Sequence, residues 1–280
     1  MKKLLILVAI LALSSPTLSG ATPSFVYDGG MGTGTWKDVN KQNVYGDPDA
    51  LLCWAAAASD VLAWTGWRGW DSKTSSYISG ASDIYTRFVA AWPNAIGAAV
   101  YAYEWWMTDR SESVTGGPRV FPTPGLNFYP GVDVLKTSAG SVTRWTSSTI
   151  YNGLADYIRN DRGIVANISV PSSDVGAYSH LLAVWGWDPD TGKIYLTDSD
   201  DGVTSLREYS FHQDGGKVYI DDYSNLYTHP IDVQITLLTR LNLNPGIEPN
   251  KVVPEPITLL FLSSGLLGLA GCCRKNFLNK

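Results

Sequence analysis

The sequence has little of the material that metal centres and disulfide frameworks are built from. Its 280 residues include three cysteines, three histidines and three methionines. No two histidines have the spacing of a ligand pair on a helix or strand, and the HExxH motif is absent. No glycine-rich segment follows a predicted strand in the phosphate-binding pattern. We therefore expect neither a metal nor a cofactor.

An excess of positive charge is also lacking. The formal net charge is -5, whereas nucleic-acid-binding proteins usually carry a basic patch, so we expect no nucleic-acid partner. Hydrophobic residues make up 45% of the chain and charged residues 17%, which is typical of a packed globular protein. The 11 tryptophans and 15 tyrosines indicate core and sheet packing, or an aromatic-lined substrate groove.

The first 21 residues have the three parts of a secretory signal peptide. Lys2 and Lys3 form a positive start, Leu4–Leu13 is an apolar stretch, and Ser19–Ala21 offers small residues for cleavage. The alternative is an uncleaved membrane anchor, for which the apolar stretch is short. We predict a signal peptide over residues 1–21 and an exported domain over residues 22–242.

The other end of the sequence carries a second targeting pattern. A polar linker, residues 243–252, leads to Val253–Pro256, a predicted transmembrane segment 257–273, and a basic end. This order resembles the PEP-CTERM sorting signal over residues 253–280. The resemblance implies an exosortase-type enzyme that removes the tail, and transient attachment to the membrane. It also implies export to the envelope, surface or extracellular matrix of a Gram-negative bacterium.

The single cysteine of the exported domain calls for an explanation. Cys272 and Cys273 belong to the sorting tail, so Cys53 is left without a disulfide partner in its own domain. An unpaired cysteine in an exported protein indicates a reactive thiol. The alternative is a small buried hydrophobic side chain.

The order of the predicted elements indicates an α+β fold. Helical patterns cover residues 49–64, 83–92, 96–107 and 147–160. Six β-rich runs follow, bounded by turn residues. They are Gly163–Val170, His180–Trp187, Lys193–Thr197, Ser205–Phe211, Lys217–Ile220 and Val233–Leu238. We expect the helices to pack on one antiparallel sheet.

Cys53 lies where the first predicted helix begins. Asp47 or Asp49 is placed to cap that helix, which puts Cys53 in or beside the first turn. Backbone N–H groups there lack intrahelical partners, and the helix dipole favours negative charge. Both effects stabilise a thiolate.

Among the three histidines, His180 is the best partner for Cys53. His212 and His229 lie in polar, turn-like surroundings, whereas His180 opens an apolar strand. It follows Cys53 by 127 positions, a separation near that of papain-like enzymes. The alternative is a structural histidine at the start of a strand.

A predicted hairpin supplies a carboxylate for His180. If Trp187 lies opposite Lys193, the side chains of His180, Asp198 and Asp200 share one face of the sheet. A carboxylate there would orient the imidazole, whereas a shift of one residue would place the groups on opposite faces. The alternative role for Asp198 and Asp200 is turn formation.

Four segments of the chain resemble the IdeS/Mac family, the streptococcal immunoglobulin-degrading cysteine endopeptidases. They are Trp36–Lys41, Asp49–Ala56, Ser179–Gly186 and Tyr195–Asp200. The resemblance implies a papain-like fold in which the helix of the catalytic cysteine packs on a C-terminal antiparallel sheet.

The resemblance also assigns roles. Cys53 is the nucleophile, His180 the general base and acid, and Asp198 the orienting acid, with Asp200 as an alternative or secondary acid. Lys41, twelve residues before Cys53, is a possible oxyanion-hole residue, although the residues alone indicate an exposed lysine.

The sequence departs from the family at Trp54, where the family has glycine, and a large Trp54 side chain would reshape the pocket floor. Residues 65–165 show no match, so immunoglobulin cleavage does not carry over. We predict an exported cysteine endopeptidase that hydrolyses proteins or peptides through an acyl-enzyme. The alternatives are another acyl transfer, such as transglutamination or cell-wall amide hydrolysis, and a non-enzymatic surface or matrix binding protein.

Overall fold

The computed structural model describes residues 36–41, 49–108, 125–134, 150–154, 156, 163–171, 178–224 and 230–251. Helices within these residues are α1 (Cys53–Trp64), α2 (Ala81–Ala91) and α3 (Ala99–Met107), with further helical residues at 150–154. The strands are β1 (Gly69–Asp71), β2 (Ser76–Ile78), β3 (Gly163–Val170), β4 (Tyr178–Asp188), β5 (Lys193–Thr197), β6 (Arg207–Asp214), β7 (Lys217–Tyr223) and β8 (Ile231–Leu241). The predicted strands Gly163–Val170 and Lys193–Thr197 are confirmed to the residue.

Strands β3 to β8 form a closed antiparallel barrel. Each strand pairs with the next, and β8 returns to pair with β3. Ile164, for example, lies opposite Val184 on one side and Arg240 on the other. The predicted α+β, papain-like fold is therefore wrong, because the molecule is mostly β and its sheet is closed. The helices are short. The closed sheet buries side chains on its own inner face, so it does not need a layer of helices to cover that face.

Helix α1 is packed between the barrel and the other two helices. It contacts β3 and β4 on one side and α2 and α3 on the other. Four consecutive alanines, residues 55–58, are buried and allow these close approaches. On the barrel side Gly163 lies so close that an added Cβ would be 2.4 Å from Val61 Cγ1.

The β4–β5 hairpin contains a bulge that decides which residues share a face. Asp188 Oδ1 accepts the N–H groups of Asp190 and Thr191 and closes a tight turn, so Asp188 pairs with Lys193. The predicted pairing of Trp187 with Lys193 is therefore wrong by one residue, which alone would put His180 and Asp198 on opposite faces.

The bulge restores the predicted alternation. Val184 pairs with Leu196 and Gly186 with Tyr195, so Trp185 is the extra residue on β4. On the side of the bulge that leads to His180, Ala183 pairs with Thr197. This register places the side chains of His180 and Asp198 on the same face of the sheet. Trp185 is held there by a 2.8 Å hydrogen bond from its Nε1 to Thr197 Oγ1.

Replacing Gly186 with alanine is expected to destabilise this hairpin. An added Cβ would lie 2.6 Å from Tyr195 Cδ2 and 2.9 Å from its Cβ, which no side-chain rotation relieves. We expect a loss of about 1–3 kcal/mol in the free energy of unfolding, measured by urea denaturation. In the control Gly80→Ala the new methyl meets only the carboxylate end of Asp83, at 2.9 Å. Equal losses in the two variants would contradict the expectation.

The segment predicted as a linker is bonded to the domain as far as Lys251. Asn244 N donates to Thr65 O at 2.8 Å, and Lys251 Nζ lies 4.8 Å from the centre of the Trp70 ring. The predicted signal peptide 1–21 and the predicted transmembrane segment 257–273 lie outside the described residues. Within those residues, no helix has the length and apolar character needed to cross a membrane.

Candidate active site

Cys53 is the first residue of α1, so it lies in the first turn as the sequence predicts, although the helix begins four residues after the predicted start at Asp49. Leu52 is the N-cap residue, and its N–H donates to Asp49 O at 2.9 Å. Among the described residues, no backbone carbonyl accepts from the N–H groups of Cys53 or Trp54. These two amides are therefore available to a negatively charged oxygen beside the Cys53 thiol.

The expected capping by Asp49 is not found, and Asp47 lies outside the described residues. No side chain caps α1. Asp49 is buried and instead accepts a 3.0 Å hydrogen bond from the Tyr85 hydroxyl at its Oδ2. This hydrogen bond joins Asp49, four residues before Cys53, to helix α2.

His180 is held by Asp198 in the interior. The Nε2 atom of His180 lies 2.8 Å from Asp198 Oδ1, and both side chains are buried. Asp198 also accepts hydrogen bonds from the Tyr223 hydroxyl at Oδ2 and from Asp200 N at Oδ1, the latter at 2.9 Å. A carboxylate with this many donors has a fixed orientation, and it fixes the imidazole in turn.

Cys53 lies close enough to His180 to raise the pKa of the imidazole. Burial by itself lowers the pKa of His180, but the Asp198 carboxylate and the Cys53 thiol raise it. The pKa of His180 therefore lies well above its ordinary value of 6.5, and the imidazolium form is favoured at neutral pH. A cationic imidazole beside a thiol stabilises the thiolate.

Asp200 occupies the other side of His180 but is paired with Lys41. Its Oδ2 lies 3.8 Å from His180 Nδ1, whereas its Oδ1 lies 2.9 Å from Lys41 Nζ. Of the two acids that the sequence left open, Asp198 therefore has the hydrogen-bonding geometry of an orienting residue, and Asp200 holds the lysine.

Lys41 is buried rather than exposed. Its ammonium pairs with Asp200 and donates to Ala50 O, three residues before Cys53, and its backbone N donates to Ser199 O at 3.0 Å. An ammonium has three N–H donors, so two bonds leave one for a further acceptor near the helix start.

Replacing Lys41 with methionine is expected to destabilise the protein, because the Asp200 carboxylate, whose side chain is 8% exposed, would lose its cationic partner. We expect a loss of about 3 kcal/mol in the free energy of unfolding, measured by urea denaturation. The double variant Lys41→Met/Asp200→Asn should recover more than half of that loss. No recovery would show that the two side chains do not act as a pair.

Trp54 points into the helical layer. It is buried, lies edge-on to Phe88 and Trp92, and donates from Nε1 to Ala95 O at 2.8 Å. Gly97 packs on its ring so closely that an added Cβ would be 2.4 Å from Trp54 Cε2. Trp54 therefore anchors the 92–98 loop beside Cys53.

One group of possible metal ligands coincides with this site. His180, Asp198 and Asp200 each offer a ligand atom, and these atoms lie within 4.8 Å of one another. The ammonium of Lys41 at 2.9 Å from Asp200 already supplies a positive charge there and opposes a second cation.

A second group lies on the barrel surface. His212, Asp221 and Asp232 come from the adjacent strands β6, β7 and β8, and their ligand atoms also lie within 4.8 Å of one another. His212 Nδ1 is hydrogen-bonded to Asp221 Oδ1. His229, the third histidine, lies outside the described residues.

Three contributors to the site escaped the sequence analysis. Tyr223 is one, because only barrel closure brings β7 near Asp198. Asp38 and Asp60 are the others, and they lie next to the site, where residues 36–41 contact α1. The sequence could have indicated Asp60, because it is the one charged residue in the otherwise neutral helix CWAAAASDVLAW.

Comparison with known proteins identifies the tail of the chain. Residues 252–275 match the family model of the PEP-CTERM protein-sorting motif. The PEP-CTERM motif implies export, recognition by an exosortase-type sorting enzyme, and sorting to the cell surface of a Gram-negative bacterium. No curated protein matches the chain. The IdeS/Mac resemblance therefore rests on the four sequence segments alone.

Proposed function

We propose that the exported domain is a cysteine endopeptidase in which Cys53 is the nucleophile, His180 the general base and acid, and Asp198 the orienting acid. The observation that carries the proposal is the buried 2.8 Å hydrogen bond between Asp198 Oδ1 and His180 Nε2, with Cys53 close enough to act on the pKa of His180. The position of Cys53 at the start of α1 supports it further.

The residues support an acyl-transfer sequence. His180 takes the proton of the Cys53 thiol, and the sulfur attacks a peptide carbonyl carbon to form a C–S bond. The carbonyl electron pair moves to the oxygen, which the N–H groups of Cys53 and Trp54 are placed to stabilise. His180 then returns its proton to the leaving amine as the C–N bond breaks.

Water completes the cycle. It attacks the thioester carbon of the acyl-enzyme while His180 accepts one of its protons. The C–S bond then breaks, and His180 returns that proton to the sulfur of Cys53. The third N–H of the Lys41 ammonium can donate a further hydrogen bond to the same oxyanion. An amine in place of water would give transamidation by the same steps.

An epoxide inhibitor of the epoxysuccinyl class tests the proposal. The expected product is one covalent adduct per chain, mapped by mass spectrometry to Cys53 under native conditions. Unlabelled protein is then profiled against a peptide library, with and without an added primary amine, and the labelled protein serves as the inactive control. Cleaved peptides support an endopeptidase, whereas amine-modified products would replace it with a transglutaminase activity.

Modification of Cys53 only after denaturation would contradict the proposal. That result would favour a surface or matrix binding protein in which Cys53 is a structural residue.

A further inference from the structure

Residues 36–41, here called the strap, run between helix α1 and the loop that follows β5. That loop, residues 198–206, is here called the acid loop. The strap reaches it through Lys41 N to Ser199 O at 3.0 Å and through Ser205 N to Asp38 Oδ2 at 2.9 Å. The strap thus carries Lys41 to the site and is bonded along the loop that supplies Asp198 and Asp200.

On its other side the strap rests on Asp60 of α1. Asp60 lies seven residues after Cys53, two helical turns along the same face, and is buried with 3% of its surface exposed. Its Oδ2 accepts the N–H of Val39 at 3.4 Å. Asp60 therefore joins the helix of the nucleophile to the segment that positions Lys41.

In this junction the charge of Asp38 acts on the carboxyl group of Asp60. Among the described residues, the second oxygen of each, Oδ1, is buried without a hydrogen-bond partner. The charged groups that act on the pair come from every neighbouring element. They are Lys37 on the strap, Asp198 and Asp201 on the acid loop, and Arg207 on β6.

We propose that Asp60 is a positioning residue of the site, which holds the strap and Lys41 against α1 only while the Asp38–Asp60 pair carries a proton. A protonated Asp60 still offers Val39 a carbonyl oxygen and places no second charge beside Asp38. With both groups ionised, two negative charges meet in a buried junction, and the strap is repelled from the helix. This inference rests on the proposed function for its catalytic consequence.

The direction of the pH dependence follows from the two acids. Burial first and the charge of Asp38 second raise the pKa of Asp60 well above its ordinary value, against the N–H of Val39 and the charge of Lys37, which lower it. Burial and the charges of Asp201 and Asp198 raise the pKa of Asp38 to about 7, against the N–H of Ser205 and Arg207. A raised pKa in the folded state stabilises the docked strap at low pH, and that stabilisation is lost as the pH rises through the raised values.

Hydrogen exchange of the full chain tests the proposal without relying on catalysis. We expect exchange protection of residues 36–41, corrected for intrinsic rates, to fall at least about tenfold between about pH 6 and about pH 9. Asn keeps the acceptor for Val39 but cannot ionise, so Asp60→Asn should retain protection across this range. Asp60→Ala lacks the acceptor and should lose protection even at the lower pH.

Activity gives the second readout. The ratio of kcat/KM for Asp60→Asn to kcat/KM for the wild type should rise between about pH 6 and about pH 9, because only the wild type loses the docked strap over that range. Protection that falls equally in wild type and Asp60→Asn, or that never falls, would overturn the inference. A wild type without peptidase activity but with the expected exchange pattern would instead overturn only the proposed function.

Discussion

Replacing Cys53 with alanine is expected to abolish peptide cleavage. The thiolate forms the covalent bond of the acyl-enzyme, and no other described side chain can take that role from the first turn of α1. We expect kcat/KM to fall at least about 10,000-fold, measured with the best peptide from library profiling. Iodoacetamide labelling of the native domain at near-neutral pH should be lost in the same variant.

Two controls make this result specific. The tail cysteines are replaced in a Cys272→Ser/Cys273→Ser background, so that any native labelling reports Cys53. A thermal melt of Cys53→Ala should match the wild type, because the side chain is small and only half-buried. Activity that survives in a folded Cys53→Ala protein would remove the nucleophile from the proposal.

Replacing Asp198 with asparagine is expected to reduce kcat and to change the pH profile. Asp198 orients His180 and is the main group that raises its pKa. The neutral amide fits the same space but stabilises neither the imidazolium nor its tautomer. We expect kcat to fall about a thousandfold or more, by the reasoning that applies to orienting acids in other triads.

The pH profile of kcat/KM for Asp198→Asn should shift in one direction. In the wild type the raised pKa keeps His180 protonated above neutral pH, so the thiolate–imidazolium pair is lost only as the pH rises through that raised value. Without the Asp198 charge the alkaline limb of kcat/KM should move to lower pH. Tyr223→Phe serves as the matched control, since it removes one donor to Asp198 and keeps the carboxylate. An unmoved alkaline limb in Asp198→Asn would assign that limb to another group.

Local elements of the site could be predicted because they depend on neighbours in the sequence. The Ala-rich segment 49–64 predicted a helix with Cys53 in or beside its first turn, and α1 runs from Cys53 to Trp64. The alternation of residues predicted that His180 and Asp198 share a face. That expectation holds for a reason the sequence did not reveal, because the turn at Asp188 shifts the pairing and the bulge at Trp185 shifts it back.

Closure of the barrel could not be predicted in this way. It depends on the pairing of β3 with β8, two strands with sixty residues between them, and on registers that turns and bulges set along the way. Runs of Val, Ile and Tyr have the same pattern in an open sheet and in a closed one. The burial of Lys41 escaped for a related reason, since its partner Asp200 belongs to a loop far along the chain.

The closed barrel also limits how a polypeptide can be bound. An open sheet offers a free edge on which an extended peptide can be added as another strand, with its backbone hydrogen-bonded along the edge. Closure of the ring from β3 to β8 removes most of such an edge, but the pairing of β4 with β5 begins at Ala183, so Tyr178–Leu182, which include His180, pair with β3 alone among the described strands. For a substrate that reaches Cys53, the backbone edge beside His180 would therefore be short, and loops and helix ends would supply the rest of the recognition.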